Sequence, residues 1–138
     1  MTDRVLIDTG PLVAFLSRPD AYHQACKDLF GRTRRPFVTC WPVLTETAYL
    51  LGHRPPALQA LLQLPNEGLV QIAPLDEDAP AWIAAFLGRY GDLRPDLADA
   101  ALVYLAEQHD IDTIFTLDRR DFSVYRRPNG RHFHLLPE

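Results

Sequence analysis

The sequence predicts an α/β fold built around a mostly parallel sheet. Apolar runs of strand length alternate with runs of helical period along all 138 residues, and the links between them are short. Acidic residues follow the first and the late strand run, at the strand ends where open α/β sheets place their sites. The length fits one domain spanning residues 1–138, and an apolar content of 47% is enough for a core that needs no disulfide staples.

Residues 4–8 read as the first strand. Thr9-Gly10-Pro11 then turns into a short apolar helix, with Pro11 suited to the first helical position. Asp20 is placed to cap a second helix through about Phe30, and Pro36–Cys40 reads as a second strand. Pro42 marks another helix start and Gly52 its end. Pro55-Pro56 opens a further helix to about Leu64, and Leu69–Ala73 is a third strand. A helix from about Glu77 to Tyr90, a loop over 91–95 and a helix from Leu97 to His109 follow. Residues 113–117 read as a strand, and His132–Leu136 as an edge strand. No internal repeat or low-complexity segment interrupts the pattern.

Net charge is −4, so the chain is no histone-like binder, although local charge matters more than the sum. Its two cysteines, Cys26 and Cys40, form no C-x-x-C pair or Cys/His zinc spacing, and read as free buried thiols. No signal-peptide pattern opens the sequence. The longest apolar stretches have seven residues, against roughly 20 for a membrane span. A soluble, cytoplasmic protein is expected.

Four carboxylates stand where folding alone would not put them. Asp8 ends the first strand, Glu46 sits inside the helical run Val43–Leu51, and Asp118 follows Ile114-Phe115-Thr116-Leu117. Asp99 shares a helix face with Leu102, Val103 and Ala106, where an unpaired charge is costly. Each has an ordinary explanation. Asp8 suits an Asx turn into Thr9-Gly10, and Glu46 suits a helix rim. Asp96 suits an N-cap with Asp99 three residues on, and Asp118 with Asp121 repeats the pattern. Together they suit something else. Acids converging at one sheet edge hold hard divalent ions such as Mg²⁺ or Mn²⁺, without which they repel one another.

Four segments, in this order, resemble the PIN domain family of metal-dependent ribonucleases, which includes the VapC-type toxins of bacterial toxin–antitoxin pairs. They are Val5-Leu6-Ile7-Asp8-Thr9-Gly10-Pro11-Leu12, Thr45-Glu46-Thr47, Asp96-Leu97-Ala98-Asp99-Ala100-Ala101-Leu102-Val103 and Thr116-Leu117-Asp118-Arg119-Arg120-Asp121-Phe122. The resemblance implies a three-layer α/β/α sandwich. It implies that Asp8, Glu46, Asp99 and Asp118 are catalytic metal-binding acids, with Asp96 an additional ligand. Thr9, Thr116 and Asp121 become supporting residues. It also implies an endoribonuclease that uses Mg²⁺ or Mn²⁺, a homodimer, an RNA substrate and a cognate antitoxin protein.

The arginines Arg119, Arg120, Arg126 and Arg127, with Arg131 beyond them, suit bidentate phosphate contact and are candidate RNA ligands. Thirteen of the fourteen basic residues are arginine, so composition alone also accounts for the run. Other chemistries fit less well. No Ser-His-Asp or Cys-His signature is present, and the five histidines do not converge in spacing. A phospho-accepting receiver domain wants a late lysine, but the sole lysine is Lys27. A phosphatase-like Asp-x-Asp fails because position 10 is glycine. The alternatives are a housekeeping RNA-processing nuclease and a catalytically silent protein-binding module of the same fold.

Overall fold

The computed structural model describes residues 2–138. The elements run β1 (Thr2–Ile7), α1 (Thr9–Leu16), α2 (His23–Arg32), β2 (Phe37–Thr39), α3 (Trp41–Leu50) and α4 (Pro55–Asn66). There follow β3 (Val70–Ile72), α5 (Ala79–Arg89), α6 (Leu97–His109), β4 (Ile111–Phe115), α7 (Arg119–Phe122) and β5 (His134–Leu136). The strands form one sheet in the order β3-β2-β1-β4-β5, and every pairing is parallel.

The central strands explain their own sequences. A parallel strand is covered on both faces, so it reads as a continuous apolar run rather than an alternating one. Val5, Leu6 and Ile7 in β1 are buried, as are Phe37 and Val38 in β2 and Ile114 and Phe115 in β4. Phe30 of α2 packs its ring on Phe37 and Phe115 and stacks on Phe15 of α1. Crossovers from β1 to β2 and from β2 to β3 step one way along the sheet. Those from β3 to β4 and from β4 to β5 step the other way. Right-handed crossovers therefore put helices on both faces and make three layers. The direction reverses between β1 and β4, and a crevice opens outside their carboxyl ends.

Several boundaries depart from the sequence expectation. The second helix starts at His23, not Asp20: the Asp20 carboxylate accepts the Tyr22 N–H at 2.8 Å, making a turn ahead of the helix. The fourth strand covers 111–115 rather than 113–117, because its pairing with β1 runs from Thr2↔Ile111 to Ile7↔Phe115. Thr116 still donates its N–H to Leu136, then accepts the Asp118 N–H on its side chain, which turns the chain out of the sheet. The segment after it is a one-turn helix, where the sequence suggested only a turn. The expected helix start at Glu77 moves to Ala79, with Asp78 at its N-cap. Cys26 and Cys40 are free and buried, and burial pushes both thiols up to about 11.

Candidate active site

β1 ends at Ile7, and Asp8 becomes the N-cap residue of α1. Its N–H donates to the Phe115 carbonyl at 2.9 Å, which ties it to the end of β4. The Thr116 hydroxyl donates to one oxygen of its carboxylate at 2.8 Å. Thr39 braces the same strand end from β2, its hydroxyl donating to the Ile7 carbonyl at 3.1 Å. Asp8 is thus held from both neighbouring strands and is only 7% exposed.

The other aspartates arrive through one local device used twice. Asp96 is the N-cap of α6 and accepts the N–H of Asp99 at 2.8 Å. Asp118 is the N-cap of α7 and accepts the N–H of Asp121 at 3.1 Å. In both cases the third helical residue is an acid whose N–H is already satisfied. The N–H of Asp118 is satisfied as well, by the Thr116 hydroxyl at 3.0 Å, which leaves the Asp121 carboxylate out of the reciprocal cap bond. Glu46 comes from α3 and accepts the Thr9 hydroxyl at 3.4 Å. Gly10 permits the close approach of α1 to the segment after β4, since a Cβ there would stand 3.3 Å from the Leu117 side chain.

These residues line one cleft of about 390 Å³. Asp8, Glu46, Asp96, Asp99, Asp118 and Asp121 all face it, with Thr9, Gly10, Leu50, Arg94 and Leu117. The electrostatics are those of crowded, partly dry carboxyls. Burial pushes Asp8 up to about 6, reinforced by Asp96 and Asp118 and opposed by the hydrogen bonds it accepts. Burial pushes Asp99 up to about 8, reinforced by Asp8 and Asp96, while the Tyr125 hydroxyl works the other way. Glu46 is raised by burial and then by Asp96 and Asp8, and Asp121 by burial and then by Asp118.

Such a site fits a hard divalent cation. Its donors are carboxylate oxygens, the ligands that Mg²⁺ and Mn²⁺ take. One oxygen each from Asp99, Asp118 and Asp121 lies within 4.8 Å of the others. The geometry therefore brings together every acid singled out in the sequence. Asp121, expected only to support the site, stands in this group of three. Asp96 and Asp118 each cap a helix and also line the cleft, so the capping role does not take them out of the site.

The arginines divide. Arg127 is a correction to the expected RNA contacts. It is 5% exposed, and its guanidinium is taken by Asp112, by Asp110 at 3.0 Å and by Glu107 at 3.7 Å. It also donates to the Ile111 carbonyl, so it locks the start of β4 and is withdrawn from phosphate. Arg131 pairs with Asp112 in the same network. Arg126 spends one nitrogen on the carbonyls of Ser123, Val124 and Tyr125. Arg119 and Arg120 stay exposed beside Asp118 and Asp121, with Arg119 also donating to the Pro137 carbonyl.

Two cleft-side residues escaped the sequence reading. Arg94, in the expected loop, lines the cleft with a left-handed backbone at φ 50°. Tyr125 is fully buried and donates its hydroxyl to Asp99 at 3.1 Å. Tyr125 carried no local signal, for its partner Asp99 lies 26 residues away, and the bond from its N–H to the Asp121 carbonyl forms only in the fold.

Comparison with known proteins agrees with this architecture. The PIN domain family matches residues 5–128. Ribonuclease VapC26 of Mycobacterium tuberculosis (strain ATCC 25618 / H37Rv) is 31% identical over 135 residues, covering 96% of this chain and 100% of the relative. The crystal structure of Mycobacterium tuberculosis VapC20, described as a sarcin-ricin loop cleaving toxin, superposes with a TM-score of 0.72. It covers 80% of this chain and 86% of that one at 22% identity, a likeness of fold. With the family matching nearly the whole length and its acids gathered in one cleft, the chain belongs to the PIN domain family.

Proposed function

We propose that this protein is an endoribonuclease that cleaves RNA phosphodiester bonds at the acidic cleft, and that it is the toxin of a toxin–antitoxin pair. The observation that carries the nuclease activity is six carboxylates from four elements lining one cleft at the sheet's switch point. Asp8, Glu46, Asp99 and Asp118, with Asp96 and Asp121, hold Mg²⁺ or Mn²⁺. When bound, such an ion lowers the pKa of water and neutralises charge building on the phosphate. The chain's own residues do the rest. Thr116 and Thr9 orient Asp8 and Glu46 through their hydroxyls. Arg94 and the exposed Arg119 and Arg120 offer guanidinium groups to the RNA backbone, with Arg126 further out.

The toxin role is supported by the names of the relatives. It implies a cognate antitoxin partner, a homodimer and a cytoplasmic site of action, in a chain working as one domain over 1–138. Two apolar grooves support protein partners. One lies between α3 and α4, around Trp41, Leu44, Ala48 and Leu62; the other is beside α5, around Leu75, Ile83, Leu87 and Leu97. Among the described residues no helix is long and apolar enough to cross a membrane.

The test is cleavage of RNA by purified protein with Mg²⁺ or Mn²⁺, with EDTA, and by the Asp8→Ala variant. Cleavage should require the metal and vanish in the variant. Equal cleavage with metal and with EDTA would sink the metal mechanism.

A further inference from the structure

We propose that Tyr125 is a positioning residue that holds the Asp99 carboxylate in place for the divalent ion; this rests on the cleft being a metal site. Its ring is 0% exposed and sits in an aromatic cage, with centroids 5.1 Å from each of Phe86, Tyr90 and Phe122. Those rings come from α5, the end of α5 and α7, so the cage fixes the tyrosine from several directions. Packing alone asks for a phenylalanine. The hydroxyl has a separate use, for it donates to one oxygen of Asp99 at 3.1 Å.

An ionised carboxylate only accepts hydrogen bonds, so the phenol is the right partner for it. The bond occupies one oxygen and stops the group from turning. The backbone of Asp99 is pinned as well, because its N–H donates to Asp96. Asp8 is held in the same way, by the hydroxyl of Thr116. The two buried acids of the cleft therefore each carry one hydroxyl donor. Outer partners of this kind orient metal ligands, and their loss typically costs about 10–100-fold in metal affinity or activity.

Tyr90 provides an internal control. It lies in the same cage, but its hydroxyl accepts the Arg126 N–H at 3.1 Å instead of meeting an acid. The experiment measures Mn²⁺ binding to RNA-free protein by electron paramagnetic resonance and melting in EDTA, for wild type, Tyr125→Phe and Tyr90→Phe. Tyr125→Phe should bind Mn²⁺ about tenfold more weakly, at the lower end of the expected range. Its cleavage should recover as Mn²⁺ is raised, and Tyr90→Phe should bind as wild type does. Unchanged affinity in Tyr125→Phe overturns the proposal, and so does an equal loss in Tyr90→Phe, which would make the effect one of packing. A second comparison holds even if Tyr125→Phe is less stable. Asp99→Asn with Tyr125→Phe should bind no more weakly than Asp99→Asn alone, because Tyr125 acts through Asp99. Additive losses would contradict that. Absence of Mn²⁺ binding in the wild type removes the metal site itself, a different result from a wild type that binds and a variant that binds equally.

Discussion

Asp99 sits on the core side of α6 at 8% exposure, yet shares its cleft with five other acids. Burial and repulsion both oppose its charge, which is why its carboxyl is pushed up to about 8. In the metal-free protein that charge is a liability. Asp99→Asn should therefore abolish metal-dependent cleavage while the melting temperature in EDTA holds or rises. A collapse of the fold would mean that the residue is needed structurally. The same physics sets a pH dependence. Asp8 at about 6 and Asp99 at about 8 lie above the ordinary aspartate value of 3.8, so between pH 4 and 8 the folded state binds more protons than the unfolded one. Stability of the metal-free protein is then greatest below pH 4 as far as these groups decide it, and falls as pH rises through their folded values. Metal needs the deprotonated acids, so Mn²⁺ should reverse the slope. Melting at pH 5 and pH 8, in EDTA and in Mn²⁺, checks both signs; a rise toward pH 8 in EDTA would contradict the first.

At the scale of the element, the site is made of helix starts, apart from Glu46 in the middle of α3. Asp8, Asp96 and Asp118 are N-cap residues, and Asp99 and Asp121 occupy the third helical position. One aspartate can cap with one oxygen and face the cleft with the rest of its carboxylate. The roles separate by substitution. Asp96→Asn keeps a cap about as good as aspartate, so stability should hold while Mn²⁺ affinity falls. Asp96→Ala loses both, and should cost about 1 kcal/mol of stability as well. Equal melting of the two variants would remove the cap from the account. This double use also explains what the sequence revealed. The Asp-x-x-Asp spacing and the apolar strand runs are local, so they stood in plain view at Asp96 and at Asp118. The end of β4 was misplaced by two residues because pairing with β1, a long-range effect, decides it. Arg127 misled for a similar reason. Nothing near it in sequence announces Asp112, Asp110 and Glu107, which sit at least 15 residues back in the chain. Tyr125 reaches Asp99 across 26 residues, a contact that only folding creates.

At the scale of the whole molecule, the sheet brings remote carboxylates together, and the arrangement has one vulnerable point. Asp8 ties β1 to β4 and is coupled electrostatically to Asp96 and Asp118, so its removal takes a buried carboxylate out of the cleft. It also lies at a strand end, braced by backbone bonds that alanine retains, so the fold should survive. That makes Asp8→Ala the right control for the biological proposal. Induced expression of the wild type should arrest growth, because uncontrolled RNA cleavage is harmful. Asp8→Ala, accumulating to the same level, should not. Co-expression of a cognate antitoxin, sought as a short open reading frame immediately upstream, should relieve the arrest and retain the toxin in a complex on purification. On α3, the helix that carries Glu46, exposed Leu50 lines the cleft with exposed Tyr49 next to it in sequence, and exposed Trp41 lies in the groove between α3 and α4, so the helix gives such a partner apolar surface running up to the cleft. Burying them under the partner would also screen the acids from RNA, so binding and inhibition should be lost together in Trp41→Asp. If the wild type and Asp8→Ala grow alike, the toxin role fails. Metal-dependent cleavage in vitro would then point to an RNA-processing nuclease using the same cleft.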